Sequence, residues 1–177
     1  MTIYSRMYDG GTYTLANFAE MVATFVDNGY AKGILGDLAV AVASGTVTLA
    51  SGQAMINGYW YKNPATKIVT PTAADPTYPR IDRVVIRYDI AAATITDAIL
   101  PGIPAAVPVA PALTRNASYY CMSLAQILIP AGGVPTTVTD EREDPTLCGR
   151  ITRRNTTFAN IVTQANVDCN GKRIINL

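Results

Sequence analysis

The sequence predicts a mainly β protein: an antiparallel sandwich or barrel-like domain, preceded by one N-terminal α-helix and followed by an extended C-terminal tail. From Gly36 onward, apolar residues alternate with polar or small residues in short runs that turn-forming residues separate. This pattern is typical of antiparallel sheets rather than of alternating strands and helices. The chain has 177 residues, of which 49% are hydrophobic, and this is enough apolar material for a core. We expect an N-terminal arm and helix at 1–35, a β domain at 36–149 and a C-terminal extension at 150–177.

The helix is predicted from about Leu15 to Asn28, because apolar residues recur there at spacings of three and four. Thr14 can cap its first turn, and Gly29 stands where a left-handed C-terminal cap is common. The apolar stripe consists of Leu15, Phe18, Val22, Phe25 and Val26.

Alternation with a period of two predicts strands over 38–43 and 46–49, joined by a turn at Ser44-Gly45. A further alternating run covers 54–61. The alternation predicts that Ile56 and Trp60 share the buried face and that Tyr59 and Tyr61 lie on the other face. An alternative for Tyr59 and Tyr61 is an exposed aromatic platform that binds sugar rings.

Two long strands and a hairpin are predicted in the second half of the domain. Residues 80–90 form a strand that turns back into 94–100, and 119–129 form another strand that ends at Pro130. The connection at 64–79 and the segment at 101–111 are rich in proline, so neither fits a regular sheet interior. We expect 101–111 to lie extended over a surface, with Ile103, Val107 and Val109 as contacts to another chain.

Charged residues cluster near the end of the domain. The sequence TDERED at 139–144 predicts a self-neutralising surface or a salt-bridge cluster at an interface, since Arg142 interrupts its acids. A carboxylate pair for glycoside hydrolysis and a cation site are weaker interpretations of the same acids. Together with Arg142, the basic residues that follow suit either an intersubunit contact or simple solvation. The candidate contact residues of this region are Arg142, Arg150, Arg153, Arg154 and Phe158.

Several function classes lose support from the composition. The chain has no histidine, which removes the commonest general base and metal ligand. It lacks the short motifs of common hydrolase and nucleotide-binding sites, so we expect no enzymatic activity, no cofactor and no metal. The net charge of +1 favours neither nucleic acid nor an anionic membrane. No apolar run reaches membrane-spanning length, and the N-terminus shows no export signal.

The three cysteines, Cys121, Cys148 and Cys169, are widely spaced and form no CxxC pair, so a tetrahedral zinc site lacks its usual ligands. An intrachain disulfide would leave one thiol unpaired. We expect buried, reduced thiols in a protein that is assembled in a cytoplasm.

Several blocks together resemble the N-terminal attachment module of phage baseplate and receptor-binding proteins, including upper baseplate proteins and tail-fibre attachment regions. The blocks are SGQAMINGYWYKN at 51–63, YPRIDRVVIRYDIAAATIT at 78–96, PAAVPVAPALTRNASYYCMSLAQILIPAG at 104–132, VTDERED at 138–144 and LCG at 147–149. The closing DCNGKRIINL at 168–177 is similar to the phrase that often opens the next segment of a fibre.

The resemblance implies a virion protein of a tailed phage, assembled in the host cytoplasm, oligomeric and often trimeric. Its partners would be other tail, baseplate or fibre proteins. Because the sequence ends at the fibre-like phrase, an adaptor role is favoured over receptor binding. A receptor- or glycan-binding module is the second hypothesis, and a glycan-degrading tail enzyme is the third.

Overall fold

A computed structural model describes residues 14–153 of the chain. Within this range the protein is mainly β, with a single helix at its start and antiparallel sheets after it, which confirms the predicted class. The elements are α1 (Leu15–Phe25), β1 (Gly29–Tyr30), β2 (Val40–Ala43), β3 (Thr46–Leu49), β4 (Gly52–Ile56), β5 (Tyr59–Asn63), β6 (Lys67–Ile68), β7 (Arg80–Asp89), β8 (Thr94–Leu100), β9 (Tyr119–Ile129) and β10 (Thr137–Asp140).

Three sheets share one core. Their strand orders are β1-β4-β5, β10-β9-β7-β8 and β2-β3-β6. Buried apolar side chains of all three sheets pack into a single cluster, which includes Tyr30, Leu49, Ile56, Ile86 and Met122. Hydrophobic burial of this kind holds short strands together that would not be stable as isolated hairpins.

The helix forms where the sequence predicts it but ends three residues earlier. Thr14 and Asn17 make a reciprocal capping box, each side chain accepting from the other residue's backbone N–H. Val26 is extended, and the Asp27 N–H donates to the Thr152 carbonyl at 2.9 Å. The expected C-cap is wrong, because Gly29 has a φ of 159°, which is extended backbone rather than a left-handed turn.

The predicted burial of Trp60 is also wrong. Trp60 is 59% exposed, whereas Tyr61 is 8% exposed and Ile56 is fully buried. Asn57 and Gly58 both have positive φ and form a two-residue hairpin turn, so Ile56 pairs directly with Tyr59. Cross-strand partners share a face. The turn therefore reverses the alternation and moves Trp60 out of the core.

The long strands match the prediction closely. Strands β8 and β9 have the expected bounds, and β7 ends at Asp89, one residue before the predicted end. Residues 101–111 contain no strand, as their prolines predict. Strands β1, β6 and β10 were not predicted, because each is short and forms by pairing with a strand distant in sequence or already present.

Across residues 14–153, α1 is the only helix, and it is neither long enough nor apolar enough to cross a membrane.

Candidate functional site

The proline-rich segment 101–111, called the arm below, is fixed to the four-stranded sheet at its beginning. The Gly102 N–H donates to Asp82 Oδ1 at 2.8 Å, and Arg80 Nε donates to the same oxygen at 2.9 Å. Both charged side chains are almost fully buried. Gly102 approaches β7 so closely that a Cβ would stand 2.1 Å from the Ile81 carbonyl oxygen, so this contact requires glycine.

The end of the arm is fixed by the next residue of β7. Arg83 Nη1 donates to the Pro111 carbonyl, and the other guanidinium nitrogens hold Glu141 in a two-pronged pair, both at 3.0 Å. The Arg83 and Glu141 side chains are only 11% and 6% exposed. Paired and hydrogen-bonded charges of this kind tolerate burial. The two ends of the arm are therefore held by two buried ion pairs, Arg80–Asp82 at the beginning and Arg83–Glu141 at the end.

Between these anchors the arm presents apolar side chains outward. Ile103, Val107 and Val109 are 82%, 81% and 75% exposed, and a shallow cavity of about 440 Å³ lies among them and the neighbouring prolines and alanines. We call Ile103, Val107 and Val109 the arm ridge. The sequence predicted these three as contacts, and the structure leaves them uncovered among residues 14–153.

The TDERED cluster separates in the structure, since its acids face different partners. Glu141 is buried, so the expectation of a surface group is wrong for this residue; it also accepts from Ser123 Oγ and Gln126 Nε2. Asp140 pairs with Arg142, and in this pair the acid is half exposed while the Arg142 side chain is largely buried. Its hydrogen bond from Arg142 lowers the pKa of Asp140.

Glu143 and Asp144 have local roles. Glu143 accepts from Arg150, Lys32 and the Tyr30 hydroxyl, and these contacts lower its pKa to about 2. Asp144 accepts from the side chain and the backbone N–H of Thr146, which lowers its pKa. Glu143 and Asp144 thus serve as fixed hydrogen-bond acceptors, whereas Glu141 is buried.

The basic residues predicted as contacts are largely engaged within the chain. Arg142 donates to the Asp37 carbonyl at 2.8 Å and lies over the Tyr30 ring. Arg150 pairs with Glu143 while half exposed, and the backbone of Arg153 pairs with Val26. Arg154 and Phe158 lie outside the described residues.

The two tyrosines predicted as a sugar platform lie against the core. Tyr61 is buried and donates to Asp97 Oδ1 at 3.0 Å, and burial is the main cause of the raised pKa of its hydroxyl. Tyr59 is half-buried, with its ring centroid 5.0 Å from that of Tyr88. This placement weighs against stacking of a sugar on Tyr61. The exposed aromatic ring of this hairpin is Trp60.

A second apolar surface was not predicted. Leu15 and Phe18 of α1 are 79% and 55% exposed and lie beside Trp60. Together with Ala19, Tyr59 and Ile95 they line a groove of about 370 Å³, which we call the helix groove. The amphipathic stripe of α1 predicted burial, but only Ala19 of the helix is buried. Leu15, Phe18 and Phe25 belong to the apolar stripe that the sequence shows, and the domain leaves all three exposed. An exposed apolar helix face of this kind is typical of a surface that contacts a further partner.

The described cysteines fit the expectation of buried thiols. Cys121 and Cys148 are free and buried, and burial raises the pKa of the Cys148 thiol to about 12. Cys169 lies outside the described residues. Among residues 14–153, no cluster of acidic or cysteine side chains is arranged to hold a metal ion.

No family model matches this chain, and no curated protein or solved structure matches it.

Proposed function

We propose that this chain is a non-enzymatic structural protein of a tailed-phage particle, an adaptor at the tail tip, baseplate or fibre base. The observation that carries the proposal is the anchored arm. Its two ends are fixed by buried ion pairs, while Ile103, Val107 and Val109 remain more than 70% exposed. A monomer gains nothing from ordering apolar side chains toward water, whereas an interface gains affinity from a surface that is rigid before binding.

The resemblance to phage attachment modules supports the same proposal independently. Its most distinctive blocks fall on β4 and β5, on β7 and β8, and on the arm with β9. The resemblance therefore covers the central sheet and the arm that lies on it. We propose that the ridge contacts other copies of this chain, in a trimer, or a neighbouring tail protein.

The experiment is to purify particles released by the genome that encodes this chain and to quantify its peptides by mass spectrometry against a major tail protein. We expect a fixed ratio in intact particles. Val107→Asp should reduce incorporation, whereas Ile68→Asp, which charges an exposed apolar side chain on β6, should not. Recovery of the chain only outside the particles would contradict the proposal.

A glycan-binding module is the second candidate, and exposed Trp60 is the observation that favours it. Lys62 Nζ lies 6.0 Å from the centre of the Trp60 ring, so the ring could carry a sugar beside a hydrogen-bond donor. Glycan-array binding by the full chain that is lost in Trp60→Ala would favour this candidate over the adaptor.

A further inference from the structure

The turn between β4 and β5 joins an asparagine to a glycine, Asn57-Gly58. In such a pair the backbone nitrogen of the glycine can attack the side-chain amide of the asparagine, because glycine has no Cβ to hinder the approach. Hydroxide removes the proton of the Gly58 N–H, and the bond between this nitrogen and Asn57 Cγ then forms. The Cγ–Nδ2 bond breaks, ammonia leaves with a proton from water, and a five-membered imide remains. Water opens this ring to aspartate or to isoaspartate, so the reaction needs no enzyme, oxidant or reductant.

The geometry of the turn keeps the two reacting atoms apart. Asn57 and Gly58 have φ of 50° and 80°, and Ile56 pairs directly with Tyr59, which together define a type I′ turn. In this turn ψ of the first central residue is about 30°, so Asn57 Cβ and Gly58 N lie on opposite sides of the Cα–C bond. Ring closure requires both atoms on the same side. The hairpin must therefore open before Asn57 can react.

Asn28 holds the side chain that would have to rotate. The Asn57 N–H donates to Asn28 Oδ1 at 2.6 Å, and Asn28 Nδ2 donates to Asn57 Oδ1 at 3.0 Å. Asn28 directly precedes β1, whose Gly29 pairs with Met55 of β4. We call these two hydrogen bonds the Asn28 clamp. The pairing of β1 with β4 fixes the position of the clamp.

Helix α1 covers the nitrogen that would attack. Gly58 is buried, and a Cβ at this position would lie 1.8 Å from the Ala19 carbonyl oxygen. The backbone of α1 therefore lies directly on the turn. Since hydroxide must reach the Gly58 N–H, the helix slows the first step of the reaction.

We propose that Asn57 is a conditional deamidation site, closed while the Asn28 clamp and α1 are in place and open once α1 leaves the hairpin. Isoaspartate adds a methylene group to the backbone of the two-residue turn, so Ile56 and Tyr59 can no longer pair with the same geometry. The modification is irreversible and records that α1 has left. The proposal does not depend on the phage assignment.

The first experiment compares the full chain when folded and when denatured in urea, in the same mildly alkaline buffer. Mass spectrometry of peptides that contain Asn57 measures the conversion of the amide to the acid. We expect conversion to be at least about tenfold slower in the folded protein, because only the locally opened state reacts. Equal rates in the two states would overturn the proposal.

Asn28→Ala removes both hydrogen bonds of the clamp and should raise the rate in the folded protein by about fivefold. Gln53→Ala is the matched control, since it removes a 3.3 Å hydrogen bond from Trp60 Nε1 on the same hairpin and should leave the rate unchanged. Circular dichroism checks that both variants are folded. A folded Asn28→Ala that reacts as slowly as the wild type would overturn the proposal.

Thr14→Ala tests the contribution of α1 without a change at the turn, and it keeps the test valid if Asn28→Ala does not fold. The substitution removes the capping box of α1, so the helix is less stable and the rate at Asn57 should rise by about threefold. Thr24→Ala is its control, since the exposed Thr24 hydroxyl donates to the Met21 carbonyl near the other end of the helix and is no part of the cap. Equal rates at Asn57 in the wild type and both variants would overturn gating by α1.

Discussion

Glu141, which directly follows β10, contributes to holding both this part of the chain and the arm on the four-stranded sheet. Its two oxygens accept from Arg83, Ser123 and Gln126, and Arg83 in turn binds the Pro111 carbonyl. A buried ion pair is weak evidence of net stabilisation, but loss of one member leaves the other charge buried without a partner.

Glu141→Ala should therefore lower the free energy of unfolding by about 3–5 kcal/mol, as breaking a buried pair does. Asp140→Ala is the control, since the Asp140 side chain is 49% exposed, against 6% for Glu141, and its loss should lower the free energy of unfolding by less. Urea denaturation monitored by circular dichroism gives both values. Equal losses of unfolding free energy in the two variants would show that the Arg83–Glu141 pair is not buried in solution.

Glu143 makes stability dependent on pH. Hydrogen bonds from Arg150 first, then from Lys32 and Tyr30, lower its pKa from the usual 4.5 to about 2. A lowered pKa in the folded state means that the contribution is fully present above the unfolded pKa and is lost as the pH falls toward the folded pKa.

The melting temperature of Glu143→Gln should therefore be lower than that of the wild type at pH 7. The difference should shrink as the pH falls from about 4.5 toward about 2. Thermal unfolding at several pH values measures this. A difference that stays constant through this range would show that the Glu143 carboxylate is not held by these donors.

The β4–β5 hairpin is the element that positions Trp60 and receives α1. Gly58 has a φ of 80°, and a Cβ there would lie 1.8 Å from the Ala19 carbonyl oxygen. The turn therefore needs glycine both for its backbone conformation and for the close approach of the helix.

Gly58→Ala should destabilise the protein by about 1–3 kcal/mol more than Gly33→Ala, because the added methyl group clashes with α1. Gly33 is the matched control, since it also has positive φ, at 76°, but open space around its Cβ position. Both variants incur the backbone strain, and only Gly58→Ala displaces α1. Urea denaturation compares them. Equal destabilisation would mean that α1 does not pack on this turn.

At the same scale, local patterns predicted the long elements and missed the short ones. Strands β8 and β9 are each followed directly by a proline, Pro101 or Pro130, which marked their C-terminal bounds, and the capping box determined the start of α1. The Asn57-Gly58 dipeptide is a recognised hairpin signal, and counting it as a turn would have placed Tyr59 with Ile56. Strand β1 has only two residues and depends on pairing with β4, which no local pattern encodes.

The candidate site, too, was predicted only where the local sequence determines the structure. The exposure of Ile103, Val107 and Val109 follows from prolines that keep the arm out of the sheet interior. The burial of Glu141 does not follow from local sequence, because its partner Arg83 is 58 residues away.

For the whole molecule, the arm ridge predicts self-association of the purified protein, with a trimer favoured. Val107→Asp should weaken association by about tenfold or more, as loss of a central apolar contact does. Ile68→Asp should have no effect, because Ile68 is similarly exposed but lies on β6, outside the ridge. Sedimentation velocity over a range of concentrations distinguishes these outcomes. If the protein sediments as a monomer at every concentration, the ridge does not mediate self-association, and its partner would have to be a different protein.

The most direct test of the central claim, an adaptor that works through the arm ridge, is a cryo-electron microscopy reconstruction of particles from the genome that encodes this chain. We predict density for the three sheets at the distal end of the tail, with Ile103, Val107 and Val109 covered by a neighbouring chain. Tail density that leaves no place for this fold, or a ridge that faces solvent within the assembled particle, would contradict the account.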